Sequence, residues 1–232
     1  MFAKSLSVDR FLVANVNLRD GLIKEMARGK SWLSSIQDQM VRSAIRLGKR
    51  YKFSERRSVQ ITKLACSIYD QLQSLHRLPS RFRSILEIGS LLHEIGNFIS
   101  PKSKHKHSAY LIRNSEFFGV GNNELQLIAL VARYHRGASP QPRHEAYAKL
   151  DRFQRVAVSK LAAFLRIAIA LDSNHQQRIK TITCRDLPSH VEMLTPDVED
   201  LSMERAEIRK VSSLFTEIFG KEVVLETEGG MQ

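Results

Sequence analysis

The chain of 232 residues is 43% hydrophobic and 26% charged, a composition typical of a globular protein with one or two domains and a sizeable core. It contains no apolar run of membrane-spanning length, and no signal-peptide pattern opens it. Its two cysteines, Cys66 and Cys184, are far apart in sequence. We therefore expect a reduced, cytoplasmic protein without a membrane segment.

The charge is strongly positive and uneven. The net charge is +12, and from Val191 onward there are ten acidic and four basic residues, so residues 1–190 carry +18. Such a basic region favours an acidic partner: polyphosphate, nucleotide phosphates, nucleic acid or an acidic protein face. A solvated basic surface without a partner would give the same composition.

The first 29 residues are predicted to form a short strand over Arg10–Asn17, a turn with the sequence LRDG, and a short helix over Leu22–Ala27. A single strand is not stable by itself. We therefore expect either that this chain is a fragment or split gene product, or that residues 10–29 dock elsewhere.

Two helices are predicted next, over residues 31–46 and 54–76. The apolar residues of the second recur at helical spacing, and extending their stripe backward by one turn reaches Arg57. A lone buried charge is costly, so Arg57 needs a partner.

Three further helical segments each carry a histidine on or beside an apolar stripe. His93 follows Gly89 and precedes Gly96, and glycines on both sides leave room for a close approach. His107 stands near the start of a helix expected around residues 109–117. His135 ends a helix with Asn122 as the expected N-cap and Gly137 after its end.

The last long helix carries Asp172 on the line of Leu161, Leu165 and Ala168, so this carboxylate also points inward. Beyond it, β-branched alternation predicts strands at 178–185, 190–194 and 221–225, with an amphipathic helix over 201–219. The final GGMQ is expected to be disordered.

The strings LLHEIG, KHSAYLIRNS and ARYHRG resemble the C-terminal helical domain of the exopolyphosphatase/guanosine pentaphosphatase (Ppx/GppA phosphatase) family, over roughly residues 18–225. The resemblance implies a mainly α fold: a degenerate HD-domain-like bundle at 30–176, then a small α+β unit at 177–228. It also implies that residues 1–29 match the end of the family's phosphatase domain. The glycine-rich phosphate loops of that domain are not found in this sequence.

Two positions depart from the HD metal-dependent phosphohydrolases to which that domain is related. Arg57 stands where they have the first histidine ligand, and a guanidinium has no lone pair to give a cation. Glu94 replaces their aspartate, whereas His93, His107, His135 and Asp172 match ligand positions. Three interpretations stay open: a metal site with fewer ligands, a phosphate or nucleotide pocket, or an internal polar network in which Arg57 replaces the cation.

A second set of residues is cationic: Lys104, Arg113, Arg133, Arg136 and Arg166. Arginine presents a planar fork that fits phosphate oxygens, so these residues are candidates for one polyanion-binding cleft. Surface pairing with Glu116, Glu124 and Asp151 is the competing interpretation.

The resemblance implies a module that binds polyphosphate or guanosine polyphosphates, and that regulates or completes a separate phosphatase domain. It also implies a homodimer. We expect no turnover by this chain alone and no bound cofactor, with Mg²⁺ needed only alongside a phosphatase domain. The alternatives are a metal-dependent HD-type hydrolase acting on a nucleotide, and nonspecific nucleic-acid binding.

Overall fold

The computed structural model describes residues 32–196 and 198–228. Its elements, in chain order, are α1 (Trp32–Arg50), α2 (Glu55–Gln71), α3 (Gln73–His76), α4 (Arg81–Leu92), a 3-10 helix (Ile95–Phe98), α5 (Lys104–Arg113), α6 (Asn122–Arg133), α7 (Glu145–Ala148), α8 (Arg152–Ala170), β1 (Thr183–Asp186), β2 (His190–Thr195), α9 (Ser202–Val211), α10 (Ser213–Phe219) and β3 (Glu222–Thr227). The predicted class, mainly α with a small α+β end, is confirmed.

Helix α8 is the centre of the core. Its sequence is apolar on nearly every side, and it packs against α2, α4 and α6 as well as α9 and α10. A capping box starts it: the Asp151 carboxylate accepts a hydrogen bond from the Gln154 amide at 2.8 Å, and Gln154 Oε1 accepts one from the Asp151 amide at 3.2 Å. An apolar helix with a fixed start is a rigid base for side chains at its C-terminal end.

The three described strands form one sheet in the order β1-β2-β3. β2 pairs antiparallel with β1 and parallel with β3, with Val191 opposite Val223 and Met193 opposite Leu225. Helices α9 and α10 connect β2 to β3 and pack on α8. The elements after β1 and β2 are therefore held directly against the central helix.

Several boundaries differ from the sequence predictions. The helix carrying His107 begins at Lys104, five residues earlier than expected, and ends at Arg113. The predicted helix over 201–219 is two helices that meet at Ser212. The first predicted strand is shorter and starts at Thr183.

Other predictions lie outside the described residues: the strand and helix within residues 1–29, and the disorder of GGMQ. The described residues from Gln39 onward belong to one compact unit, and the division at 176/177 stays a prediction. No helix within the described part of the chain is long and apolar enough to span a membrane.

Candidate functional site

The predicted partners of Arg57 are present. Arg57, on the first turn of α2, donates from Nε to Asp172 Oδ2 at 3.0 Å and from Nη1 to Glu94 Oε2. Arg57 and Asp172 are buried, and Glu94 is largely so. Asp172 Oδ1 accepts a further bond from the Gln177 amide at 2.8 Å. The guanidinium thus lies between two carboxylates that offset its charge, and Arg57 has the partner that its place on the apolar stripe requires.

Glycine at position 96 brings a second cation to Glu94. A Cβ on Gly96 would lie 2.1 Å from the Lys104 carbonyl oxygen and 2.5 Å from the Ser108 nitrogen, so only glycine allows α5 to approach this closely. Ser108 Oγ accepts from the Gly96 amide at 2.9 Å and donates to the His93 carbonyl at 2.8 Å. Held in this way, α5 directs Lys104 Nζ onto Glu94 Oε1.

The charge on Glu94 is stabilised by these neighbours. Burial by itself raises the pKa of a carboxyl group, but the His93 ring, the hydrogen bond from Lys104 and the charge of Arg57 outweigh burial here. The pKa of Glu94 is accordingly well below its usual range. Glu94 therefore stays ionised near neutral pH and links α2 to α5.

His93 and His135 are buried neighbours, with ring centroids 5.1 Å apart. Each places Nδ1 2.6 Å from a carbonyl oxygen, that of Ser90 or of Ala132, so Nδ1 carries the hydrogen and Nε2 keeps a lone pair. Burial lowers the pKa of His93 to about 4 and, with the His93 ring nearby, that of His135 well below its ordinary value. Both rings are neutral at pH 7.

The third histidine beside this pair is His105, whose ring centroid lies 6.4 Å from that of His135. Burial, followed by the charges of Arg133 and Arg136, lowers the pKa of His105 to about 4. The sequence assigned this place to His107, which instead lies against Gly96. Since α5 starts earlier than predicted, the histidine two residues before His107 faces the pair.

Arg166, on α8, is buried and has only carbonyl oxygens as partners among the described residues. Its Nε donates to the Tyr134 carbonyl at 2.8 Å, and one Nη donates to the carbonyls of Gly137 at 3.0 Å and Ala138 at 3.3 Å. These oxygens follow α6, where the negative end of the helix dipole favours a cation. Burial lowers the pKa of the Arg166 guanidinium, and no carboxylate offsets that cost.

These groups meet at a cavity of about 690 Å³. Six of the predicted site residues line it: Arg57, Glu94, Lys104, His135, Arg136 and Arg166. The other wall comes from the end of α8, the segment after it, and α9: Ile169, Ala170, Ser173, His175, Met203, Ala206, Glu207, Lys210 and Val211. Gly137 completes the lining. Five cationic side chains and two carboxylates therefore surround one space.

The remaining predicted residues lie elsewhere. Asp172 and His93 do not line the cavity, but each contacts a residue that does. Asp172 accepts a hydrogen bond from Arg57, and the His93 ring lies against that of His135. Arg113 is exposed on α5 and does not line the cavity. Arg133 is also outside the lining, with its guanidinium 5.7 Å from the Tyr134 ring centroid.

The α9 wall was not predicted as part of a site. Met203 lies on the helix that the sequence predicted to be amphipathic, and its side chain is 59% exposed. Glu207 and Lys210 of the same helix form an ion pair at 3.0 Å. Their three-residue spacing predicts such a pair, but nothing in the sequence indicates that it borders the cavity.

The polar groups do not fit a metal ion. Within residues 32–196 and 198–228, no three histidine, cysteine or acidic side chains converge to hold one. Arg57 occupies the space between the two carboxylates that a cation would bridge, and its charge would repel an ion bound there.

Comparison with known proteins agrees with this fold. The model of domain III of the Ppx/GppA phosphatases matches residues 40–206, and the chain therefore belongs to the Ppx/GppA phosphatase family. The chain is similar to a "guanosine-5'-triphosphate,3'-diphosphate pyrophosphatase" of Pseudoalteromonas translucida, at 25% identity over 87% of this chain and 38% of the relative. A relative of the same name from Aeromonas hydrophila subsp. hydrophila is 29% identical over 72% of this chain and 33% of its own length. The chain thus spans less than two fifths of either relative.

Proposed function

We propose that this chain is a polyanion-binding module, and that its cavity takes the phosphate groups of polyphosphate or a guanosine polyphosphate. The observation that carries the proposal is Arg166, a buried cation whose partners among the described residues are carbonyl oxygens. Carbonyl hydrogen bonds do not neutralise the charge of a buried guanidinium, which is costly to bury without a counter-charge, and an anion in the cavity would offset that cost. Arg136, exposed at the same cavity, adds a second cation for which no acidic partner is found in the described part of the chain.

The Arg57 cluster supports this role without binding the ligand itself. The carboxylates of Glu94 and Asp172 form ion pairs with Arg57 and Lys104. They therefore repel an incoming phosphate less than free carboxylates would. Arg166 also holds the carbonyls of Gly137 and Ala138, and so it positions the segment that carries Arg136. The cationic side chains of the cavity are therefore carried by segments that hydrogen bonds hold in place.

We further propose that the module regulates or completes a phosphatase domain, because the matched region makes up only 38% and 33% of the two relatives named as pyrophosphatases. Hydrolysis of the polyanion, and any need for Mg²⁺, would then require the phosphatase domain together with this module. The homodimer stays a prediction.

The test is binding of fluorescently labelled polyphosphate, followed by anisotropy at several salt concentrations. Arg136→Gln is expected to weaken binding by about tenfold, since a hydrogen bond to a charged group contributes about 1.5 kcal/mol or more. Arg113→Gln is the matched control: it removes an exposed arginine from the same basic region but outside the cavity. Affinity should fall with added salt in every case.

Two outcomes would contradict the proposal. If Arg113→Gln weakened binding as much as Arg136→Gln, the ligand would follow the general basic surface rather than the cavity. If double-stranded DNA of matched charge competed as well as polyphosphate, the nucleic-acid alternative would hold instead.

A further inference from the structure

Two segments of the chain are basic and contain no acidic residue. Neither aspartate nor glutamate occurs at residues 39–54 or 95–115. The lysines and arginines of the two segments are Arg42, Arg46, Lys49, Arg50, Lys52, Lys102, Lys104, Lys106 and Arg113. Lys52, Lys102 and Lys106 are exposed and have no carboxylate partner in the part of the chain that the structure describes. These lysines are therefore available to an external anion.

The two basic segments meet at a pair of aromatic rings. Tyr51 directly follows α1, and Phe98 ends the 3-10 helix; their ring centroids are 5.5 Å apart, with the planes at 69°. The guanidinium carbon of Arg50 lies 5.9 Å from the centroid of the Tyr51 ring. Phe98 is nevertheless 53% exposed. Tyr51 therefore supports the Phe98 ring from one side, while much of that ring faces solvent.

A second exposed ring lies on α5. Tyr110 is 64% exposed, with Lys106 one helical turn before it and Arg113 one turn after it, so the three side chains share an exposed face. The 3-10 helix touches α5 at Gly96, where an added Cβ would lie 2.5 Å from the Ser108 nitrogen. Both rings therefore belong to adjoining elements of one basic surface.

Exposed rings among cations fit a single-stranded nucleic acid, because bases stack on the rings while the phosphates pair with the cations. A duplex keeps its bases stacked inside and cannot use the rings in this way. A helix that lies on a membrane needs several apolar side chains on its outer face. The exposed residues of α5 are Lys106, Tyr110 and Arg113, so the single strand is favoured over the lipid surface.

We infer that this surface, formed by Tyr51, Phe98, Lys102, Lys106 and Tyr110, binds single-stranded nucleic acid. Bases stack on Phe98 and Tyr110, and the phosphates between them pair with the two lysines. The inference goes beyond the proposed function and does not depend on it, since none of the five residues lines the cavity. Inorganic polyphosphate has no bases and gains nothing from the rings.

The experiment measures anisotropy of two labelled probes with the full chain: a thymidine oligonucleotide of about twelve nucleotides and an abasic strand of equal length and charge. The quantity of interest is the ratio of the two dissociation constants within each protein, in which a partial loss of folded protein cancels. The parent chain should prefer the thymidine strand by about tenfold, because only that strand offers bases to stack.

The test variant is Phe98→Leu combined with Tyr110→Leu. Leucine keeps the charge and the apolar bulk but removes the ring face, so the preference should fall towards one while the abasic strand binds as before. The control is Phe153→Leu: Phe153 is 47% exposed on α8, outside both basic segments, and the parent ratio should be kept.

Four outcomes would overturn the inference: no binding of the thymidine strand by the parent, equal binding of the two strands, an unchanged preference in the double variant, or equally tight binding of duplex DNA. Binding of phosphatidylserine vesicles without binding of the thymidine strand would show a membrane surface instead. Polyphosphate binding and its dependence on Arg136 are measured separately, so the failure of this inference is distinguishable from the failure of the proposed function.

Discussion

Two cationic regions border the same cavity and differ in how their charge is satisfied. Arg57 and Lys104 share the carboxylates of Glu94 and Asp172, so that region is internally neutralised. Arg166 and Arg136 have no carboxylate partner among the described residues, and Arg166 is buried nonetheless. The first arrangement stabilises the bundle, whereas the second retains a charge that a ligand can use. The number of arginines in the sequence does not distinguish a structural role from a ligand-binding one. The partners of each arginine in the structure do.

The largest expected effect is a fall in the free energy of unfolding when Arg57 is removed. Arg57→Ala leaves Asp172 and Glu94 buried without their shared cation, and breaking a buried pair in this way costs about 3–5 kcal/mol. We expect the free energy of unfolding, measured by urea denaturation at pH 7, to fall by that amount. The control is Arg83→Ala, because Arg83 pairs with Asp70 at 2.8 Å in a half-exposed position, where a pair contributes at most about 1 kcal/mol.

Equal losses in the two variants would mean that the Arg57 cluster is no more structural than a surface ion pair. The contrast between the paired and the unpaired region would then have no energetic basis.

The paired region was the more predictable of the two. The helical stripe through Ile61 extends to Arg57, and that through Leu161 extends to Asp172. A buried arginine needs compensating partners and an acid on a neighbouring stripe supplies one, so periodicity and charge together predicted the bridge. Glu94 followed because it adjoins the inward His93. These inferences needed only local spacing and the cost of an unpaired charge.

Other parts of the cavity depend on tertiary contacts that spacing does not encode. The KHKH run of α5 has the composition of a polar loop, and it becomes helical because Gly96 and Ser108 hold it against the His93 segment. Arg113 looked equivalent to Arg136 in sequence, yet only Arg136 borders the cavity. Helix α9 lines the cavity because it packs on α8. No local sequence pattern predicts that packing.

The second prediction concerns the neutral histidines between the two regions. Burial lowers the pKa of His93 to about 4, so between pH 6.5 and pH 4 the unfolded chain binds a proton that the folded chain does not. Stability is therefore complete above pH 6.5 and decreases as the pH falls through this window. From pH 6.5 to 5.0 this single group should remove about 2 kcal/mol from the free energy of unfolding.

Urea denaturation at several pH values measures this slope. Because Glu94, Arg57 and Lys104 adjoin His93 and Glu94 stays ionised across the window, the slope above pH 5 reports the histidines. In His93→Leu the slope should be smaller, whatever the variant's absolute stability, and in His190→Phe it should match the parent. A His93→Leu slope identical to the parent would place the titration on other groups.

The smallest expected effect is a change in affinity, and it follows from removing the acidic partner of a cavity lysine. Glu207 pairs with Lys210 at 3.0 Å on the α9 wall, and both side chains are exposed enough that the pair contributes little stability. Glu207→Gln should leave the free energy of unfolding within about 0.5 kcal/mol of the parent while raising polyphosphate affinity by about two- to threefold, because Lys210 is released and a repelling carboxylate is removed. Glu145→Gln is the control, since Glu145 pairs with Lys149 at 2.7 Å in an exposed pair outside the cavity. An equal gain in both variants would show that net charge alone sets the affinity, and that the lining of the cavity has no special part in binding.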